Sequence, residues 1–207
     1  MKAHHHVVGV LLAGGQARRM GGGDKCLQTL GGKTLLARAI QRARPQVDTL
    51  ILNANGDTAR FSAYDVPIVV DVIDGFAGPL AGVLTAMEWT AENAADHETV
   101  VSFPTDAPFF PTDLVETMLE ARRLAGAALA CAASKGRPHP VFGVWPVSLR
   151  HELRQALEAG ERKIDRWTEQ YPIVTVEFAA VGVDPFFNAN TPEDLVQAEQ
   201  FLAEEGV

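Results

Sequence analysis

The sequence predicts a three-layer α/β fold around a mostly parallel central sheet, and three observations predict it. The chain begins with a continuously apolar, partly β-branched run, VVGVLL, of the kind a strand buried on both faces needs. Strand-like runs then alternate with helical patterns along the whole length, as parallel strands joined by crossover helices require. Glycines and polar residues collect where the strand-like runs end, the place where open α/β sheets keep their ligands.

Taken in order, the strand at 7–12 gives way to a long Gly/Arg-rich loop reaching Lys25. A helix over 34–44 follows, with Leu35, Leu36, Ala39, Ile40 and Ala43 on one face. The pattern repeats with strand TLILNAN (49–55), a short helix over 58–63, strand VPIVVDV (66–72), a glycine loop and a helix over 80–91. Strand TVVSF (99–103), a helix over 114–124 and strands AALACAA (127–133) and VFGVWP (141–146) come next. The remainder reads as a helix over 147–159, a basic helical stretch GERKIDRW (160–167) and strand IVTVEFA (173–179). The last segment, TPEDLVQAEQFLAEE, is a helix with Thr191 as N-cap, Pro192 in first position and acidic residues in its first turn.

The 207 residues, 47% hydrophobic and 21% charged, supply one core, so residues 1–207 are expected to form a single domain. A net charge of −8 argues against nucleic acid as a partner, yet leaves room for a local cationic cluster that binds phosphate. Cys26 and Cys131 are too few for a metal quartet or a disulfide framework and read as small, reduced residues in a cytoplasmic protein. The apolar run at 7–13 is brief for a signal-peptide core, and no run approaches the ~20 residues of a membrane span. The His4–His6 tract reads as a frayed terminus or a tag remnant. Trp145 and Trp167 read as core.

The loop LAGGQARRMGGGDK after the first strand carries the chemistry. Gly14 and Gly15 let the backbone approach a ligand closely, its amides can cradle phosphate, and Arg19 and Lys25 bring positive charge. It is not a Walker loop, because Lys25 is followed by Cys26 rather than Ser or Thr, and it lacks the GxGxxG dinucleotide fingerprint. It matches the pattern LAGGxxxRMGxxDK. Further along stand NAN at 53–55, Asp71 at a strand end, GPLAG at 78–82, PTDAPF at 104–109, RPHP at 137–140, GERKI at 160–164 and NANTPEDL at 188–195. With these motifs the chain, from about Val7 to Leu202, resembles the molybdenum cofactor guanylyltransferases, the MobA family of nucleotidyltransferases.

That resemblance implies a Rossmann-like nucleotidyltransferase fold whose N-terminal half binds GTP and whose C-terminal half binds molybdopterin. It implies transfer of GMP from GTP to the terminal phosphate of molybdenum-molybdopterin, with release of pyrophosphate. Arg19, Lys25 and Asp106 would be catalytic. GTP would be held by Leu12, Ala13, Gly14, Gly15, Lys25, Asn53, Asp71, Pro79, Leu80, Gly82 and Asp106, and Mg²⁺ by Asp106. A strand-end carboxylate suits a hard cation that also binds substrate phosphates. Asn53 and Asp71 offer the donors and acceptors a base edge needs, but spacing alone does not separate guanine from cytosine, so GTP rests on the resemblance. An in-line reaction puts the attacking phosphate opposite the leaving group, which makes Arg137, His139, Arg162, Lys163, Asn188 and Asn190, all polar and grouped around turns, the candidates for molybdopterin. Molybdopterin-delivering proteins and molybdoenzyme chaperones would be further partners. A cytidylyltransferase or an inactive binding module are the alternatives, the second disfavoured by the intact Arg19, Lys25 and Asp106.

Overall fold

The computed structural model describes residues 6–14, 24–75 and 78–205, the side chains of 204 and 205 apart. Strand β1 (Val7–Leu12) pairs in parallel with β4 (Thr49–Asn53) on one side and β6 (Thr99–Pro104) on the other. Its unbroken apolar run follows from that central place. Val7 and Leu11 enter one core with Leu52 and Phe103, while Val8 and Val10 enter the other with Ile51 and Trp145. With β5 (Ile68–Val69), β7 (Leu129–Ser134), β8 (Arg137–Pro146) and β9 (Ile173–Glu177), the described residues form a seven-stranded sheet in the order β5-β4-β1-β6-β8-β7-β9. Among these strands β8 alone runs antiparallel, so the sheet is mostly parallel as expected.

Helices α1 (Leu35–Ala43) and α3 (Leu114–Ala125) cover the Val7–Leu11 face. Helices α2 (Pro79–Asn93), α4 (Arg150–Glu158) and α5 (Ile164–Thr168) cover the other, where Trp145 and Trp167 are buried in the core. Thr34 caps α1: its Oγ1 accepts from the Ala37 N–H at 3.1 Å. A small third core joins α6 (Pro192–Glu205) to a hairpin of β2 (Thr29–Leu30) and β3 (Lys33–Thr34) through Leu30, Leu35, Ala198 and Leu202. No described helix is long and apolar enough to cross a membrane.

Three segments differ from expectation. The run 66–72 stays in the sheet for only two residues, because β5 is an edge strand with a single partner and the chain leaves the ladder before Asp71. GERKIDRW is helical only from Ile164, since Glu161 accepts from the Arg162 and Lys163 N–H groups (2.8 and 2.9 Å) and so closes a turn. Arg137–Pro140, expected in a turn, is strand. The turn is Lys135–Gly136, both at positive φ (51° and 71°), a pair that closes a two-residue hairpin with the right twist. Pro138 and Pro140 are tolerated because that end of β8 pairs with β7 and not with β6, whose ladder to β8 covers only 144–146.

Candidate active site

The carboxyl ends of β1, β4 and β6 open into a cleft of about 1110 Å³, at the upper end of what one small ligand needs and ample for a nucleotide and a second substrate. Leu12, Ala13 and Gly14 form its floor, but Gly15 and Arg19 lie outside the described residues. Lys25 opens a single 3-10 turn (Lys25–Leu27) that turns its side chain inward; the residue is only 8% exposed. Its Nζ donates to Asp106 Oδ2 at 2.5 Å and to Asn190 Oδ1. Asp106 follows β6, where Thr105 Oγ1 donates to the Leu12 carbonyl at 3.1 Å and ties the two strand ends together. The Ala189 N–H donates to the Asp106 carbonyl at 2.8 Å, which brings the segment before α6 to the same point. One ammonium therefore joins three distant parts of the chain.

On one flank, Asp71 is held by two amides. Asn53 Nδ2 donates to Oδ1 at 2.8 Å, Asn55 Nδ2 donates to Oδ2 at 2.7 Å, and the Asp71 N–H returns a bond to Asn55 Oδ1 at 2.9 Å. Asn53 is buried, and its remaining Nδ2 proton points to the Val69 carbonyl at 3.3 Å. Asn53 lines the cleft with both amide protons spent on Asp71 and Val69, so the atom it has left for a base is the acceptor Oδ1. Gly82 explains how it fits: a Cβ there would collide with Asn53 Oδ1 and stand 2.6 Å from Leu12 Cδ2. Gly78 and Pro79 reach the cleft at the start of α2, whereas Leu80 is core and Gly82 lies behind Asn53.

On the other flank stand Arg137, His139 and Asn188. Ser134 Oγ donates to Asp184 Oδ1 and lies 2.8 Å from His139 Nε2. The hydroxyl proton is committed to the carboxylate, so His139 Nε2–H is the donor to Ser134 and Nδ1 is left as an acceptor. Burial pushes the His139 pKa below the ordinary histidine range, against a smaller opposing pull from Asp184. Burial pushes Asp184 up, but the Phe186 N–H and the Ser134 hydroxyl outweigh it and hold the carboxyl below its usual range.

Besides Leu80 and Gly82, two expected residues on the molybdopterin side are not part of the cleft lining. The Arg162 guanidinium turns back onto the Leu157 and Glu161 carbonyls (3.0 and 2.7 Å), and Lys163 is exposed beside it. The carboxylate of Glu161 holds this turn, and its stretch of cations is a surface feature. Asn190, expected with them on the molybdopterin side, sits at the centre on Lys25. Arg60 and Asn55 line the cleft and had not been singled out. Arg60 pairs with Asp24 and lies 4.4 Å over the Phe61 ring. An Arg four residues beyond a glycine in a short helix carries no distinctive spacing; Asn55, inside the NAN motif, was within reach. Both cysteines are buried and free: burial, assisted by Asp24, pushes Cys26 up to about 12, and burial raises Cys131.

Residues 9–174 match the MobA-like NTP transferase domain. A molybdenum cofactor guanylyltransferase of Rhodopseudomonas palustris (strain BisB5) is 52% identical over 201 residues, 97% of this chain and 96% of that protein. Among solved structures, molybdopterin-guanine dinucleotide biosynthesis protein A of Archaeoglobus fulgidus superposes with a TM-score of 0.75 at 23% identity, covering 95% of this chain and 99% of that one. A Mycobacterium tuberculosis H37Rv protein solved as a complex with manganese superposes at 0.68 with 17% identity, covering 94% and 98%. With its strand-end cleft and its loop signature, the chain belongs to the MobA-like NTP transferase family and is a nucleotidyltransferase.

Proposed function

We propose that this enzyme transfers GMP from GTP to the terminal phosphate of molybdenum-molybdopterin, forming the guanine dinucleotide cofactor. The observation that carries the reading is the junction of Lys25, Asp106 and Asn190 at the centre of a cleft with two unlike flanks. A phosphate oxygen of molybdopterin attacks the α-phosphorus of GTP, a P–O bond forms, the bond to the β-phosphate oxygen breaks, and pyrophosphate leaves. The nucleophile is already anionic at neutral pH, so no general base is needed. Lys25, with Arg19 by its place in the signature, offsets the charge on the phosphates, and the Leu12–Gly14 backbone, with Gly15 by its place in the signature, cradles them.

Guanine lies on the Asp71 flank. A carboxylate has about four lone-pair sites; two are taken by Asn53 and Asn55, and the rest face the N1–H and N2–H₂ donors of guanine. Cytosine has the acceptors N3 and O2 where guanine has N1–H and N2–H₂, and its single amino group cannot serve both carboxylate oxygens, so it binds more weakly. Arg137, His139 and Asn188 face the anionic pterin, with His139 Nδ1 accepting from a pterin N–H. A divalent metal fits the site, because Asp106 is a hard oxygen donor beside the phosphate path, and Mg²⁺ commonly uses one or two carboxylates together with substrate phosphates. When bound there, Mg²⁺ supplies charge neutralisation on the nucleotide phosphates. The setting is the cytoplasm, with molybdopterin-delivering proteins and molybdoenzyme chaperones as partners. Pyrophosphate release tests the reading: with molybdopterin and Mg²⁺ it should be rapid with GTP and weak with CTP, and equal rates would refute the base assignment.

A further inference from the structure

Three neighbouring parallel strands, β4, β1 and β6, begin side by side at the end of the sheet away from the cleft. A six-residue strand at ~3.3 Å per residue places that end roughly 20 Å from the nucleotide site. The residues leading into these strands are Asp48, His6 and the pair Asp96–His97. His97 Nδ1 is 2.8 Å from Asp96 Oδ1, His6 Nδ1 is 3.6 Å from Asp96 Oδ2, and the two imidazoles meet edge to face with centroids 5.6 Å apart. One ligand atom from each of the three residues falls within 4.8 Å of the others. His97 Nε2 is buried without a hydrogen-bond partner, 4.0 Å from Asp48 Oδ2, which accepts the Val7 N–H at 2.9 Å. His6 holds a left-handed backbone with φ 49°, a conformation that non-glycine residues keep mainly where the surroundings or a function impose it.

We propose that His6, Asp96 and His97 form a binding site for a divalent transition-metal ion of the zinc class, with Asp48 orienting His97. Two imidazoles and one carboxylate make a borderline nitrogen and oxygen set, suited to Zn²⁺ with water in a fourth position and unsuited to Mg²⁺ or Ca²⁺. Tetrahedral zinc with bonds of ~2.0–2.1 Å holds its ligands about 3.3 Å apart, a spacing the three residues, with one ligand atom each within 4.8 Å of the others, reach by small side-chain rotations once the His97–Asp96 hydrogen bond gives way to the ion. Coordination through His97 Nδ1 fixes the ring proton on Nε2, directed at Asp48. That nitrogen lies 4.0 Å from Asp48 Oδ2, longer than a hydrogen bond, so the carboxylate favours its proton electrostatically, as an outer carboxylate does for a metal-bound imidazole. The ion ties the segment before β1 to the lead-in of β6, so binding reads out as stability.

The test is titration of the full chain, stripped of metal, with Zn²⁺ against a chromophoric chelator, alongside thermal unfolding with and without Zn²⁺. One tight Zn²⁺ per chain is expected, weakened at least ~10-fold in Asp96→Ala and His97→Ala and about 10–100-fold in Asp48→Asn. Zn²⁺ should raise the melting temperature of the parent chain and not that of His6→Ala, an exposed change that leaves the core untouched. The double variant His4→Ala/His5→Ala should bind like the parent. Undiminished binding in His97→Ala, loss of binding in the His4/His5 variant, or no tight Zn²⁺ in the parent each overturns the proposal, the first two by assigning the metal to the terminal histidines alone.

Discussion

Lys25 Nζ is the single atom on which the glycine loop, the end of β6 and the lead-in to α6 converge. Lys25→Ala should lower kcat for pyrophosphate release by about 10²–10³, the usual cost of removing one preorganised charge partner of a reacting group, while the circular dichroism spectrum stays that of the parent. Gly82→Ala acts through a different atom. Its methyl group would push Asn53 away from Asp71, so GTP affinity should fall along with stability, by about 1–3 kcal/mol in urea unfolding. His139 adds a pH dependence. Its folded pKa is depressed, so the unfolded chain binds the extra proton first, and the stability this residue contributes is full above about pH 6.5 and lost as pH falls below it. Urea unfolding at pH 7.5 and pH 5.5 should show a larger loss for the parent than for His139→Gln; equal losses would remove the burial account. Lys25, Asp71 and Asp106 were legible as residues, since each sits in a motif at a strand end. The contact of Asn53 with Asp71 was not, because it depends on how close α2 approaches β4.

At the scale of elements, α6 shows how a cap becomes part of a site. Thr191 Oγ1 accepts from the Asp194 N–H at 3.2 Å, and Asp194 Oδ2 accepts from the N–H groups of Asn190 and Thr191 at 2.8 and 2.9 Å. This reciprocal cap fixes the backbone of the residue whose side chain meets Lys25. Thr191→Ala should therefore cost about 0.5–2 kcal/mol in urea unfolding and also reduce transfer activity, whereas a cap of purely structural value would leave kcat unchanged. Long periodic helices and the buried strands were readable because their apolar spacing is set by the faces they bury. The short elements were not. Two residues of β5 and the β2–β3 hairpin owe their form to partners distant in sequence, and the prolines of 137–140 suggest a turn unless one knows that this part of β8 has a neighbour on one side only.

Across the whole molecule, the cleft draws its lining from both halves of the chain, so a ligand that fills it links folding to binding. GTP with Mg²⁺ at ~100 times its dissociation constant should stabilise the native state by about 2.7 kcal/mol, read as a rise in melting temperature, and CTP at the same concentration should give a much smaller rise. The sequence by itself determined the layered architecture, the parallel sense of most strands and the family, because buried-strand runs, helix periodicity and the glycine loop are local patterns that chemistry forces on the chain. Only the tertiary structure decided which polar residues meet. It sent Arg162 back onto the Leu157 and Glu161 carbonyls, moved Asn190 to Lys25, bound Asp71 between two asparagines and gathered His6, Asp96 and His97 beneath the sheet. The physical reason is that side-chain partnership depends on distances across the fold, between residues as far apart in the chain as 25 and 190, and no spacing along the chain records those distances.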